Sequence, residues 1–475
     1  MGGTIKQTSY GLLNGYAALM PAGQIDSLAL GTEVLHVSPD RRVRSYLDVA
    51  SLVAQGGSTS IGTTGLPTTT YTGKGVTIAV VDSGVSDHDD LKTSSGSSRI
   101  RVRWSALSSG SSDDEYGHGT HVAGILGGTG LDSSTPYCFR RFRGMAPAVN
   151  IVSLKVLDST GQGQVSDVLK ALDWVVQNRT TYNIRIVNLS LGHPAFESCL
   201  TDPLCKAVEK LVATGTVVVV SAGNWGRLGY GSVTSPGISP SAITVGAMND
   251  LNTLAVSDDV ITTYSSRGPT WPDHILKPDL VAPGNRIVSL RREGSYLDQT
   301  YPANRLLAKE YTKDPKLIDK AGVYYELSGT SMAAPIVSGA AALMLEKEPK
   351  LNPATVKARL MKTAQKIGRD PYTFGAGYIN VTGALGSTAV AVVAPSPHVY
   401  RNPLLSGQLA VEDTGALWGN TAVWGNTAVW GNTAVWGSSA VWGDTAIWGN
   451  SAVWGDTAIW GDTAIWGDTI LTQGD

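Results

Sequence analysis

Two patterns alternate through the middle of the chain. Short runs of apolar, mostly β-branched residues fall at 76–81, 151–156, 186–189, 217–221 and 243–245. Such runs, too short for helices, suit strands buried on both faces. Between them lie segments with apolar residues at helical spacing, notably 165–178 and 205–214. Strands separated by helices imply right-handed crossovers and a parallel sheet covered by helices on both faces. The expected fold class is α/β. Ligands of such sheets gather at the carboxyl ends of the strands, and Asp82 and Asn224 each closely follow an apolar run.

The flanks read differently. Residues 12–47 give strand, short helix, strand, so 1–47 is taken as a separate small α+β unit. A polar, Gly/Ser/Thr-rich connection spans 48–72 and suits proteolytic cutting. The main domain is set at 73–393 and a linker with Pro395, Pro397 and Pro403 at 394–417. From Trp418 to the end a period of six takes over, with tryptophan returning at 424, 430 and onward to 466. Two readings of this 418–475 tail stay open. One is ordered β structure, as stacked hairpin-like turns or a β-helix; the other is a disordered tail. An exposed tryptophan ladder would suit contact with cell-surface glycans.

Composition narrows the classes further. The chain has 475 residues and a formal net charge of −2, which gives no electrostatic footprint for nucleic acid. No apolar run approaches the roughly 18 residues of a membrane-spanning helix. The start, Met-Gly-Gly-Thr-Ile-Lys-Gln, lacks the charged and apolar stretches of a signal peptide. Cysteine occurs only at 138, 199 and 205, too sparsely for a disulfide scaffold. Cys205 is expected to be a buried helix thiol, with a Cys199–Cys205 pair as the alternative.

Three motifs carry the candidate chemistry. Val-Thr-Ile-Ala-Val-Val-Asp-Ser-Gly (76–84) ends an apolar run on Asp82. Gly-His-Gly-Thr-His-Val-Ala-Gly (117–124) holds His118, and Gly-Thr-Ser-Met-Ala-Ala-Pro (329–335) holds Ser331. A hydroxyl becomes a useful nucleophile when a neighbouring base takes its proton. Ser331 precedes a run of small residues and reads as the start of a helix, where backbone N–H groups favour developing negative charge. Asp82 would fix the tautomer of a histidine base. His118 and His121 compete for that role; as a pair they lack a His-Glu-x-x-His pattern and an obvious third metal ligand. Asn224, in Val-Ser-Ala-Gly-Asn, follows a strand and can serve as a turn residue or as an oxyanion donor.

The order Asp82…His118…Ser331 is the subtilisin order, and over roughly residues 5 to 390 the chain resembles the subtilisin-like serine peptidases, the subtilases. The resemblance implies a subtilisin-like parallel sheet with helices on both faces. It makes His118 the base and His121 structural, and gives Asn224 the oxyanion role beside the Ser331 N–H. It implies an extended substrate strand held between Gly161-Gln162-Gly163 and Ser190-Leu191-Gly192, with Ala222 and Gly223 beside Asn224 in one pocket wall. Ser235-Pro236 matches a family position that often carries a cis peptide, and Thr234 would narrow the pocket floor. Residues 1–47 resemble the second half of an inhibitor-like propeptide, so a signal peptide and the propeptide's first half would lie outside this chain. His88, Arg267 and Asp279 match structural segments. The stretch 127–147 lacks the Asn-rich turn of a known calcium loop and is basic instead.

The resulting expectation is a secreted or cell-surface serine endopeptidase that hydrolyses protein substrates through an acyl-enzyme and is made as a zymogen. Its partners are protein or peptide substrates, its own propeptide and, through the tail, a cell-surface or glycan contact. No metal is assigned and the chemistry needs no cofactor; a structural calcium has no support in the sequence. A peptide ligase of the same fold and a surface-adhesion protein working through the tryptophan tail are the alternatives.

Overall fold

The structure, a computed structural model, describes residues 4–13, 15–30, 34–45, 59–60, 71–108, 110–251, 256–318, 320–367, 370–401 and 409–411. Eleven strands and five helices position the site. The strands are β1 (Arg42–Ser45), β2 (Thr77–Asp82), β3 (Ile100–Ser105), β4 (Asn150–Lys155), β5 (Gln162–Gln164), β6 (Ile184–Leu189), β7 (Leu191–Gly192), β8 (Val217–Ser221), β9 (Ile243–Asn249), β10 (Val260–Ile261) and β11 (Leu280–Pro283). The helices are α1 (His118–Gly127), α2 (Val165–Asn178), α3 (Pro203–Ala213), α4 (Thr330–Lys347) and α5 (Pro353–Lys362).

The main sheet runs β10-β9-β8-β6-β2-β4-β3, with β11 also paired to β9. All its pairings are parallel except β9–β10. From β2 the sheet extends through β4 to β3 on one side and through β6, β8 and β9 on the other. The order reverses at β2, so the crevice at its carboxyl end is the expected binding locus. Asp82 ends β2 there, and Ser221 ends β8 three residues before Asn224.

Both faces of the sheet are dry because the strands are apolar on both. Ile78 and Val80 join the core shared with α1 and α4, while Ala79 and Val81 join the core shared with α2 and α3. Helix α4 is buried from Thr330 through Leu345, and its alanines let it lie close against the sheet. On the other face α2 buries Val165, Val168, Leu169, Leu172 and Val175. Burying a side chain of this size is worth roughly 1.5–3 kcal/mol, so this single stripe anchors the helix strongly.

Helix α3 corrects one expectation. It begins at Pro203, with Asp202 accepting from Cys205 N at 2.9 Å as N-cap. Before it a tight turn, in which Thr201 N and Asp202 N both donate to Ser198 O, folds Cys199 back over the first helical turn. The two Cα atoms come within 5.2 Å and Cys199 is disulfide-bonded to Cys205. Cys205 is buried in a helix as expected, but as half of a disulfide rather than a thiol.

The N-terminal residues add an antiparallel hairpin, Thr4–Tyr10 with Gly15–Leu19, and a short helix, Ile25–Ala29. Its turn touches the main body: Leu12 N donates to Asp173 Oδ1 of α2 at 3.0 Å. Strand β1 then lies between β5 and β7, antiparallel to both. At the other end, residues 394–401, read from the sequence as the start of a linker, are packed on the body. Ser396 Oγ donates to Asp279 Oδ1 at 2.5 Å, and Val399 is buried. The tryptophan hexads lie outside the described residues. Among the described residues no helix is long and apolar enough to cross a membrane.

Candidate active site

Asp82 and His118 meet at the carboxyl end of β2. Asp82 Oδ1 lies 2.7 Å from His118 Nδ1, and both side chains are fully buried. Ser83 N donates to the same carboxylate oxygen at 2.7 Å. The contact requires the first turn of α1 to press on the loop after β2, and Gly119 permits it. A Cβ there would sit 2.0 Å from the Gly84 carbonyl oxygen. With Nδ1 engaged by a carboxylate, the imidazole carries its proton on Nδ1 and offers the Nε2 lone pair. His118 Nε2 is buried and has no hydrogen-bond partner among the described residues.

His121 occupies a different environment. Its Nε2 lies 3.1 Å from Ile287 O and 3.0 Å from Tyr325 O. Burial, and then the neighbouring His118, push its pKa down to about 3. It is a neutral donor tying α1 to the strands beside it.

Ser331 stands in the first turn of α4. Its hydroxyl donates to Ser190 O at 3.1 Å. Pro335 lies four residues on and has no N–H to return to the Ser331 carbonyl. That carbonyl instead accepts from Ser190 Oγ at 3.0 Å. Ser190 is held in turn by Asn188 Nδ2 at 3.0 Å, and Asn188 Oδ1 accepts from Ser338 Oγ at 2.8 Å. This buried relay runs from α4 through β6 and back to the peptide of Ser331. Sequence reasoning missed it, although the lone asparagine in the apolar run of β6 was its signal.

Asn224 reaches the same helix start. Its Oδ1 accepts from Thr330 N and Thr330 Oγ1, each at 3.0 Å. Two donors on one oxygen fix which end of the amide is which, making Nδ2 the end directed away from Thr330. Ala222 N pairs with Val245 O, and Ala222 O accepts from Thr234 N and Oγ1. Gly223 has φ of +104° and lies against Thr234 and Ser266. The Ser235–Pro236 peptide is cis.

Asp114 is a further site residue that sequence reasoning missed. Helix α1 starts at Gly117, which has no side chain to cap it. Asp114 accepts from Gly117 N at 2.7 Å, Thr120 N at 2.8 Å, Thr120 Oγ1 at 2.6 Å and Ser83 Oγ at 2.8 Å. Full burial raises its pKa despite these bonds. The only sequence signal was an acid three residues before a helix-starting glycine.

The two stretches expected to hold a substrate do line one groove. Gln162 and Gly163 of β5 face Arg44 and Val43, and Leu191 and Gly192 of β7 face Ser45 and Arg44. Gly161 turns the chain into β5 with φ of +76°, and a Cβ there would strike the Tyr116 ring at 2.5 Å. The occupant β1 thus completes a three-stranded antiparallel sheet. Asp40 helps seat it by capping α2, accepting from Ser166 N at 2.8 Å and Ser166 Oγ at 2.6 Å.

His88, Asp90 and Asp132 bring ligand-type atoms within 4.8 Å of one another, Asp132 coming from the 127–147 stretch. The donor set does not suit a hard cation. His88 Nδ1 accepts from Asp90 N at 3.1 Å, which leaves the proton on Nε2, 3.2 Å from Val323 O. Asp90 Oδ2 accepts from Tyr324 Oη at 2.8 Å, and Asp90 Oδ1 accepts from Asp132 N at 2.9 Å. Calcium asks for six to eight oxygens, and these atoms chiefly serve one another.

Residues 73–378 match the model of the Peptidase_S8 (subtilase) family. Over 377 residues the chain is 35% identical to "Serine protease AprX" of Bacillus subtilis (strain 168), covering 78% of each. It is 33% identical to "Subtilisin E" of the same organism over 381 residues, 80% of this chain and 82% of the relative. To "Subtilisin" of Bacillus pumilus it is 36% identical over 316 residues, 66% of this chain and 92% of the relative. With the sheet, the groove and the Asp82–His118 pair already in place, these similarities settle the assignment: the chain is a hydrolase belonging to the subtilase family.

Proposed function

We propose that the chain is a serine endopeptidase working through an acyl-enzyme, with Ser331 as nucleophile and His118 as base. The observation that carries this reading is the path of β1. Ser45 faces Leu191, and the residue before Leu191 is Ser190, whose carbonyl accepts from the Ser331 hydroxyl. A polypeptide in this register arrives at the nucleophile one residue after Ser45.

The chemistry follows from the bonds around the site. Rotation of the Ser331 hydroxyl from Ser190 O to His118 Nε2 lets the imidazole take its proton as Oγ attacks the carbonyl carbon. Asp82 holds the ring and balances the imidazolium. The oxygen that becomes negative is stabilised by Asn224 Nδ2 and the Ser331 N–H at the start of α4. Collapse of the intermediate expels the amine, which takes its proton from His118 Nε2. Water then repeats the sequence on the ester. Backbone pairing with β5 and β7 gives affinity that tolerates many sequences, with Ala222 and Gly223 in the wall of the pocket beside Asn224. The chemistry needs no cofactor.

Residues 1–47 act as a partial propeptide whose last strand fills the groove, and the enzyme is secreted as a zymogen. On the support of the β1 register we place the maturation cut after residue 46, one residue short of the 1–47 boundary and before the 48–72 connection rather than inside it. The tail's role is surface or glycan contact.

The test is hydrolysis of casein by the full chain beside Ser331→Ala, with an active-site serine probe on both and N-terminal sequencing of the matured product. Activity and labelling are expected only for the unaltered chain, with a new N-terminus at Leu47. Loss of at least about 10⁴-fold in turnover is the scale for removing such a nucleophile. Equal hydrolysis by Ser331→Ala would overturn the reading. Product masses with an added amine separate hydrolysis from peptide ligation.

A further inference from the structure

Upstream of the groove, the chain touches the body at a place that the catalytic account leaves unused. Glu197 lies in the loop between β7 and α3. Its Oε2 is 2.8 Å from His36 Nε2, and its Oε1 accepts from Ser38 Oγ at 2.5 Å and from Arg41 Nη1. Arg41 Nη1 also donates to Ser38 Oγ at 3.1 Å. The Arg41 guanidinium stands over the Phe196 ring, 5.3 Å from its centroid. One arginine is therefore met by a carboxylate at its edge and an aromatic face beneath it, the pairing that guanidinium suits best.

The loop is fixed at both ends. His193 exchanges two backbone hydrogen bonds with Ser235, both 2.9 Å. Cys199 is tied by its disulfide to Cys205 and by Cys199 N donating to Asp273 Oδ2 at 2.6 Å. Between these anchors the His193 and Phe196 rings stack, 9° from parallel. Phe196 keeps 62% of its surface exposed even with Arg41 in place. Burial alone would raise the Glu197 carboxyl, but the bonds from Ser38, Arg41 and His36 outweigh it and hold its pKa down to about 2. With residues 36–41 in place, the Glu197 carboxylate is thus ionised beside an exposed ring.

Position completes the argument. Arg41 immediately precedes β1, and its carbonyl accepts from Val165 N at 2.7 Å, so its backbone is still held at the groove mouth. We propose that Phe196 and Glu197 form a specificity subsite for an arginine of the substrate polypeptide, at the residue that immediately precedes the four-residue strand seated between β5 and β7. This subsite rests on the peptidase reading above, because it takes the path of β1 as the path of substrate.

The experiment uses matured enzyme and three quenched fluorescent peptides. One carries the sequence of residues 36–50; the others replace the arginine at position 41 with alanine or glutamate. Ratios of kcat/KM are taken within one enzyme preparation, which cancels the active fraction. The arginine peptide is expected to be cut about five- to tenfold more efficiently than the alanine peptide, the scale of one exposed ion pair plus one cation–π contact. The difference resides in KM, since the contact is remote from the reacting bond, and it shrinks between about 0.05 and 1 M salt. Glu197→Gln is expected to bring the ratio within about twofold, and Glu197→Lys to favour the glutamate peptide. Equal rates for the arginine and alanine peptides on unaltered enzyme, or an unchanged ratio in Glu197→Gln, would overturn the subsite while leaving the peptidase reading intact. Failure to cut any peptide, with no serine-probe labelling, would overturn both.

Discussion

Helices α1 and α4 both begin at a glycine, both pack in the same core, and both contribute a residue to the site, yet their first turns are finished differently. At α1 the side chain of Asp114 takes Gly117 N, Thr120 N and Thr120 Oγ1. At α4 the first N–H goes to a neutral amide oxygen, that of Asn224, and the first turn contains no acid. An acid side chain that accepts from three donors satisfies a helix start outright; a single neutral amide oxygen leaves more of that positive end open. In the proposed mechanism α1, which bears the base, holds a position, and α4, which bears the nucleophile, receives a negative oxygen during the reaction.

Four experiments break or sharpen this contrast. Asn224→Ala is expected to lower kcat by about 10²–10³ with little change in KM, as removal of an oxyanion donor does in subtilisin; steady-state kinetics on a small ester checks it. Asp114→Ala should act first on stability. It strands three donors of the α1 start and the Ser83 hydroxyl in a dry interior, for a loss of about 2–3 kcal/mol, read from urea unfolding of the Ser331→Ala background. Cys205→Ser removes a small closed loop, and the chain-entropy relation gives a loss of about 2 kcal/mol in the same assay. The smallest effect concerns pH. The Glu197 carboxyl is depressed to about 2, so its contribution to holding residues 36–41 is complete above its ordinary value of 4.5 and fades as pH falls toward 2. Amide protection factors of those residues in Ser331→Ala, taken relative to intrinsic exchange at each pH, should fall across that window.

Much of this was legible in the sequence. The run 217–221 and the helix 165–178 coincide with β8 and α2, because unbroken β-branched residues and clear amphipathic spacing leave little choice. Strand β3, Ile-Arg-Val-Arg-Trp-Ser, was not anticipated. It lies at a sheet edge, half exposed, where arginines alternate with apolar residues and no continuous run appears. Thr4–Tyr10 is polar and rich in threonine, and escaped for the same reason. Asp82, His118, Ser331 and Asn224 stood out through their motifs, and the structure brings Asp82 to His118 and Asn224 to the residue before Ser331. Asn188 and Ser338 did not, since they act through a hydrogen bond between distant segments, and Asp114 did not, since an acid three residues before a glycine is too common a pattern to mark a cap. The disulfide stood only as the alternative because a six-residue spacing becomes close only once Asp202 starts a helix between the two cysteines.

Pro335 is easily read as a flaw in α4, a place where the ladder lacks one rung. Because that rung is absent, the carbonyl of Ser331 belongs to Ser190 instead, and Ser190 is the next residue along from the groove strand β7. The peptide unit of Ser331 is thereby sewn to the strand that pairs with β1. On the proposed substrate path, a strand seated on β7 and the backbone of Ser331 are therefore linked through a single hydroxyl, that of Ser190.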